Sequence, residues 1–155
     1  MIKIGDKAPG FSLYDSAKNK VSLSDFKGKN VVILFFPQAF SGTCTAELCS
    51  VRDELKDYES LNAEVLAISV DSFFTLAKFK ELQNYNFLML SDFNKEVSAL
   101  YGAIYDTWIN DMKGVSKRAA FLIDKEGIIQ YAEVLEKASD LPNLNALKEK
   151  LANLR

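Results

Sequence analysis

The sequence predicts an α/β protein built on a mixed central sheet with helices on both faces, and three observations support that prediction. Val31 to Phe36 is β-branched and aromatic with no polar alternation, and Glu64 to Ser69 is a second run of the same kind. Such runs mark strands covered on both faces. Between them Cys44, Leu48, Val51, Leu55 and Tyr58 are spaced four, three, four and three residues apart, one apolar stripe along an amphipathic helix. Strand, helix and strand in that order give a right-handed crossover between parallel strands. The third observation makes the sheet mixed. Arg118 to Ile123 and Ile128 to Glu133 flank Asp124-Lys125-Glu126-Gly127, and the Gly permits the positive φ of an antiparallel hairpin turn.

The remaining elements follow along the chain. Gly5 to Pro9 and Asp15 to Lys20 read as turns around a short strand, Phe11 to Tyr14, which Val21 to Leu23 joins as a small hairpin. Pro37 ends the first central strand. A helix is expected over Phe73 to Leu82, a short strand over Phe87 to Leu90 and a short helix around Lys95 to Tyr101. Leu144, Leu147, Leu151 and Leu154 repeat at three, four and three, a C-terminal helix that packs on the sheet. No repeat or linker divides the 155 residues, so one domain is expected.

Composition narrows the chemistry. The net charge of -2 is spread without a basic stripe, which leaves a nucleic-acid role without electrostatic support. The longest strongly apolar run, Val31 to Pro37, is far below the roughly 20 residues of a membrane helix. The opening residues lack the apolar stretch of a secretory signal, so a cytoplasmic location is expected. The chain has two Cys and no His. Cys-His and Ser-His dyads and imidazole-ligated metals are therefore excluded, and two thiols are either small core residues or a redox pair. No cofactor is expected, because there is no Gly-rich phosphate loop or metal constellation.

The chemically informative stretch runs from Phe35 through Pro37 and Ser41 to Cys44, Glu47 and Cys49. A buried strand runs out, a small-residue loop turns the chain, and a helix begins at or near Cys44. There the free backbone N–H groups and the positive end of the helix dipole converge. That setting favours a thiolate and can also hold an anion or developing negative charge. A Cys on an apolar stripe is by itself more often a small core residue. The loop shifts the balance, because open α/β sheets place their sites at the carboxyl ends of strands.

Pro37-x-x-x-Ser41-x-x-Cys44 resembles the peroxiredoxin signature Pro-x-x-x-Thr/Ser-x-x-Cys, with Glu47 three residues on and Arg52 in a Leu-Cys-Ser-Val-Arg-Asp run. Ile4 to Phe11, Val31 to Phe36, Ala67 to Asp71 and Val115 to Asp124 resemble blocks of that family in their usual order. The resemblance implies a thioredoxin-like fold and a thiol-dependent peroxidase acting on hydrogen peroxide and alkyl hydroperoxides. It implies that Cys44 is the attacking nucleophile, that Arg118 lies beside it and that Pro37 shields it. Ser41 then bonds the incoming peroxide and Glu47 orients the Arg network. Ser in place of the commoner Thr lacks the methyl that restrains the rotamer, so looser positioning is expected. The electrons come from a partner thiol protein such as thioredoxin or glutaredoxin, and a homodimer packed near the active site is expected.

Attack leaves Cys44 as a sulfenic acid, which condenses with a thiol. Cys49 is the internal candidate. On an intact helix it is rotated roughly 140° and raised about 7.5 Å from Cys44, beyond the about 4.4–6.8 Å between Cα atoms that a disulfide wants. Resolution by Cys49 thus requires the first helical turns to unwind. The spacing resembles the Q-type (bacterioferritin comigratory) branch, whereas the Phe-Phe-Pro-x-Ala-Phe loop resembles the one-Cys, AhpE-like branch, in which an external thiol resolves. Two further readings stay open: a thiol–disulfide carrier, disfavoured by the absence of Cys-x-x-Cys, and a redox-sensing binding protein whose helix unravels on oxidation.

Overall fold

A computed structural model describes residues 2–154. Those residues form a seven-stranded sheet of order β2-β1-β5-β4-β3-β6-β7. The strands are β1 (Ser12–Asp15), β2 (Lys20–Ser22), β3 (Asn30–Phe35), β4 (Ala63–Ser69), β5 (Leu88–Ser91), β6 (Arg118–Ile123) and β7 (Ile129–Leu135). β3, β4 and β5 are parallel, and β1, β2, β6 and β7 add antiparallel edges. The sheet is mixed, as the hairpin over Asp124 to Gly127 predicts.

The helices are α1 (Gly42–Asp53), α2 (Leu55–Glu59), α3 (Phe73–Gln83), α4 (Glu96–Leu100) and α5 (Leu144–Ala152). Two cores lie back to back across the sheet. On one face Val32, Leu34, Val65, Ala67 and Met89 pack against Cys44, Leu48 and Val51 of α1, Leu76 and Phe79 of α3, and Leu147 and Leu151 of α5. On the other, Val31, Ile33, Phe35, Leu66 and Ile68 pack against Val97 of α4, with Tyr101 just beyond it, and against Leu23 and Phe26. Both faces of β3 are buried at every position, which is why its sequence shows no alternation.

The single helix expected from Cys44 to Tyr58 is interrupted at Glu54, whose φ of -108 and ψ of 15 separate α1 from α2. Lys148 of α5 docks at the break, 3.4 Å from the Glu54 carboxylate and over the Tyr58 ring. Two short 3-10 turns, Leu23–Phe26 and Ile109–Asp111, have no apolar period long enough to be read from sequence. The first takes Leu23 out of the expected strand because the Asp25 carboxylate accepts the Ser22 amide and turns the chain. No helix among the described residues is long and apolar enough to cross a membrane.

Candidate active site

The site forms where β3 leaves the sheet. Phe36 still donates its amide to Ile68, and buried Pro37, which has no N–H, ends the ladder. Five residues, Pro37 to Ser41, turn the chain into α1. The first helical bond runs from the Thr45 amide to the Ser41 carbonyl at 2.9 Å. The amides of Gly42, Thr43 and Cys44 therefore precede the intrahelical ladder, at the positive end of the helix. Ser41 occupies the N-cap, yet its hydroxyl donates to the Gln38 carbonyl at 2.9 Å instead of accepting from the first turn. The hydroxyl oxygen keeps acceptor capacity for a further partner.

Cys44 is 0% exposed, and its sulfur accepts a hydrogen bond from Arg118 Nη2 at 3.1 Å. Sheet register places this arginine. β6 runs antiparallel to β3 with Ala119 opposite Phe35, so Arg118, the first residue of β6, sits at the end of β3 from which the loop leaves. Ala120 and Leu122 face the α1 core while Ala119 and Phe121 face the other. Alternation along the strand directs Arg118 to the α1 side.

The guanidinium is held on three edges. Nη2 meets the Cys44 sulfur, Nη1 donates to Glu47 Oε1 at 2.8 Å, and Nε donates to the Ala138 carbonyl at 3.0 Å. Glu47, one helical turn beyond Cys44, and Arg118 form an ion pair whose side chains are each 1% exposed. Burial pushes the Glu47 carboxyl up to about 7, against the opposing pull of Arg118. Glu47 Oε2 has no hydrogen-bond partner among the described residues. For Arg118, burial disfavours the charge, but Glu47 and the Cys44 sulfur outweigh it and raise the group. A permanent cation and a helix N-terminus thus converge on one sulfur in a dry setting, where both act at full strength.

The predicted residues divide into two sets. Arg118 bonds both Cys44 and Glu47, and Pro37 and Ser41 lie in the loop that leads into their helix. Cys49 is elsewhere, on the flank of α1. Its sulfur lies 3.6 Å from Gln83 Oε1 and 3.7 Å from the Tyr85 hydroxyl, which also donates to the Thr45 carbonyl at 3.3 Å. Both cysteines are free thiols in this structure. Arg52 reaches away from the sulfur of Cys44, donating to the Gln83 carbonyl and pairing with Asp53.

Four participants escape sequence reasoning: Asp71, Gln83, Tyr85 and the Ala138 carbonyl. Asp71 Oδ2 accepts the Ala39 amide at 2.8 Å and the Ser69 hydroxyl at 2.7 Å. Its carboxyl is raised by burial, against the pull of those two hydrogen bonds. It stands just beyond β4, whose parallel pairing with β3 was foreseeable, so its place beside the loop was open to inference. Gln83 closes α3, and Tyr85 and Ala138 arrive from turns that carry no periodic signal.

Comparison with known proteins agrees with this geometry. The AhpC/TSA family model matches residues 4–132. Alkyl hydroperoxide reductase E of Mycobacterium tuberculosis is 37% identical over 137 residues, covering 86% of each chain. The chloroplastic 2-Cys peroxiredoxin BAS1 of Arabidopsis thaliana is 39% identical over 142 residues, covering 84% of this chain and 52% of that one. Among solved structures, peroxidoxin BcpB of M. tuberculosis superposes with a TM-score of 0.89 at 28% identity, over 100% of this chain and 99% of that one. The fold is thioredoxin-like, as the resemblance implied, and the chain belongs to the AhpC/TSA family as a thiol-dependent peroxidase of the AhpE-like or Q-type peroxiredoxin branch.

Proposed function

We propose that the Cys44 thiolate attacks one oxygen of hydrogen peroxide or an alkyl hydroperoxide. The sulfur–oxygen bond forms as the O–O bond breaks; sulfur is oxidised to a sulfenic acid, and the departing alkoxide or hydroxide takes up a proton. The observation that supports this reading best is Arg118 Nη2 at 3.1 Å from the sulfur. The cation stabilises negative charge on sulfur before attack and on oxygen as the bond breaks. The open amides at the head of α1 add donors for the peroxide, and the Ser41 hydroxyl accepts from its O–H. Pro37 keeps water from the sulfur, and Glu47 fixes the fork of Arg118. With no exposed area on Cys44, a peroxide enters as the side chains above the sulfur give way.

Cys49 then resolves the sulfenic acid, its thiol displacing water to form a disulfide after the first turns of α1 unwind. Gly42, Thr43 and Thr45 are modest helix formers in the segment that must open. A thiol protein of the thioredoxin or glutaredoxin kind returns the electrons. Phe40, half exposed on the active-site loop, supports a homodimer packed near the site; the proposed setting is cytoplasmic. Light scattering tests the dimer against a chain of 17.4 kDa: twice that mass is expected, and the mass of one chain contradicts it.

Peptide mapping after one equivalent of peroxide tests the pathway. A Cys44–Cys49 linked peptide is the expected product. Cys44 captured by an external thiol, with Cys49 still alkylatable, identifies the one-Cys reading instead.

A further inference from the structure

The Pro37–Ser41 turn is held in an unfavourable backbone geometry. Phe40 has a φ of 70, a region that bulky L-residues rarely enter and that costs on the order of 1–3 kcal/mol. Such a conformation persists only where its surroundings over-determine it. Three contacts do so: the Phe40 ring lies 4.9 Å from that of Phe79, Ser41 donates to the Gln38 carbonyl, and the Ala39 amide donates to Asp71. Only the last ties the turn's backbone to the sheet. Parallel register makes this possible. Phe35 of β3 is opposite Ile68 of β4, so the chain leaving each strand emerges side by side, with Asp71 three residues past Ile68 and Ala39 four past Phe35. Asp71 is itself anchored: its Oδ2 receives the Ser69 hydroxyl, and its carbonyl receives the Ser91 hydroxyl at 2.6 Å.

We propose that Asp71 is a positioning residue for the peroxidase reaction, its carboxylate clamping the strained Pro37–Ser41 turn and thereby fixing Ser41 and the head of α1 around the peroxide. The proposal rests on the reading of Cys44 as the attacking sulfur. Asp71 touches neither the sulfur nor the Arg118 network, so its effect falls chiefly on the geometry of the attacked peroxide, while Arg118 still holds the charge of the nucleophile. Displacing reacting groups by an ångström can cost about a hundredfold in rate.

The test compares wild type, Cys44→Ser, Asp71→Ala, Asp71→Asn and Ser69→Ala by stopped-flow reaction with hydrogen peroxide and by alkylation of Cys44 with iodoacetamide. Alkylation needs the sulfur but no hydrogen-bonded frame around a peroxide. Asp71→Ala is expected to lose about 10- to 100-fold in peroxide rate while its alkylation changes by less than about threefold. Asp71→Asn, whose amide oxygen still accepts from Ala39, recovers most of the loss. Ser69→Ala, which removes the other bond to the same oxygen, falls in between and gives the reading if Asp71→Ala does not fold. Wild-type peroxide rates in Asp71→Ala, no recovery in Asp71→Asn, or parallel losses in both reactions overturn the role of Asp71 while leaving Cys44 in place. Equal, slow peroxide rates for wild type and Cys44→Ser overturn both.

Discussion

Arg118 does three jobs with one planar group, and each requires a different edge of the guanidinium. Lysine keeps the charge but lacks the fork. Arg118→Lys is therefore expected to lower the rate of reaction with peroxide by about 100-fold, the scale for removing one fixed donor from a developing oxyanion. Stopped-flow kinetics of the reduced variant checks this. Glu47 yields a pH signature. Its carboxyl sits near 4.5 ordinarily and at about 7 in the fold, so between those values the folded chain holds a proton that the unfolded chain has released. Stability consequently falls as pH rises through that window and is flat with respect to this group outside it. Glu47→Gln should flatten the profile of denaturation midpoint against pH between 4.5 and 7. An unchanged slope would show that burial of Glu47 is not what sets it.

Under the proposed resolution by Cys49, α1 must be firm enough to hold Cys44 and loose enough to release it. Gly42 lies at its first position, where an added Cβ meets nothing within 4 Å and φ is not positive. Gly42→Ala should stabilise the folded first turn by about 0.4–1 kcal/mol and slow disulfide formation by the corresponding two- to fivefold, approximately, leaving attack on peroxide unaltered. Rapid-quench thiol counting separates the two steps. Tyr85 latches the same turn from outside, through the Thr45 carbonyl and the Cys49 sulfur, so Tyr85→Phe should act in the opposite direction. The stripe of α1 was plain in the sequence because burial repeats with the helical period. The break at Glu54 was not, since the spacing of Leu55 and Tyr58 continues that period across a non-helical residue. Nor was the cage around Cys49, because Gln83 and Tyr85 come from the end of α3 and the turn after it.

For the whole molecule, the sheet is what assembles the site. β3, β4 and the hairpin of β6 and β7 could be recognised singly from apolar runs and a Gly-containing turn. The crossover pairs β3 with β4 and the turn pairs β6 with β7, but the pairing of β6 with β3 could not be read, because strands far apart in the chain leave no local signal of which one they join. Arg118 stands 74 residues from Cys44, and by residue type alone it is a surface cation. The match of blocks from Val31 to Asp124 with a known family picked it out, whereas antiparallel pairing of β6 with β3 explains physically why it arrives. Asp71 closes a separate block, Ala67 to Asp71, and it is the parallel register of β3 with β4 that sets it beside the active-site loop. Trp108, the sole tryptophan, stacks on Tyr105, whose hydroxyl binds the Glu136 carbonyl two residues before Ala138, the partner of Arg118. It is thus placed to report events at the site by fluorescence. Stopped-flow reaction of reduced wild type and Cys44→Ser with hydrogen peroxide, followed at Trp108, decides whether Cys44 is the attacking sulfur. A wild-type rate many orders of magnitude above that of a free thiol is expected, with no response from the variant. Equally slow traces from both proteins would contradict it.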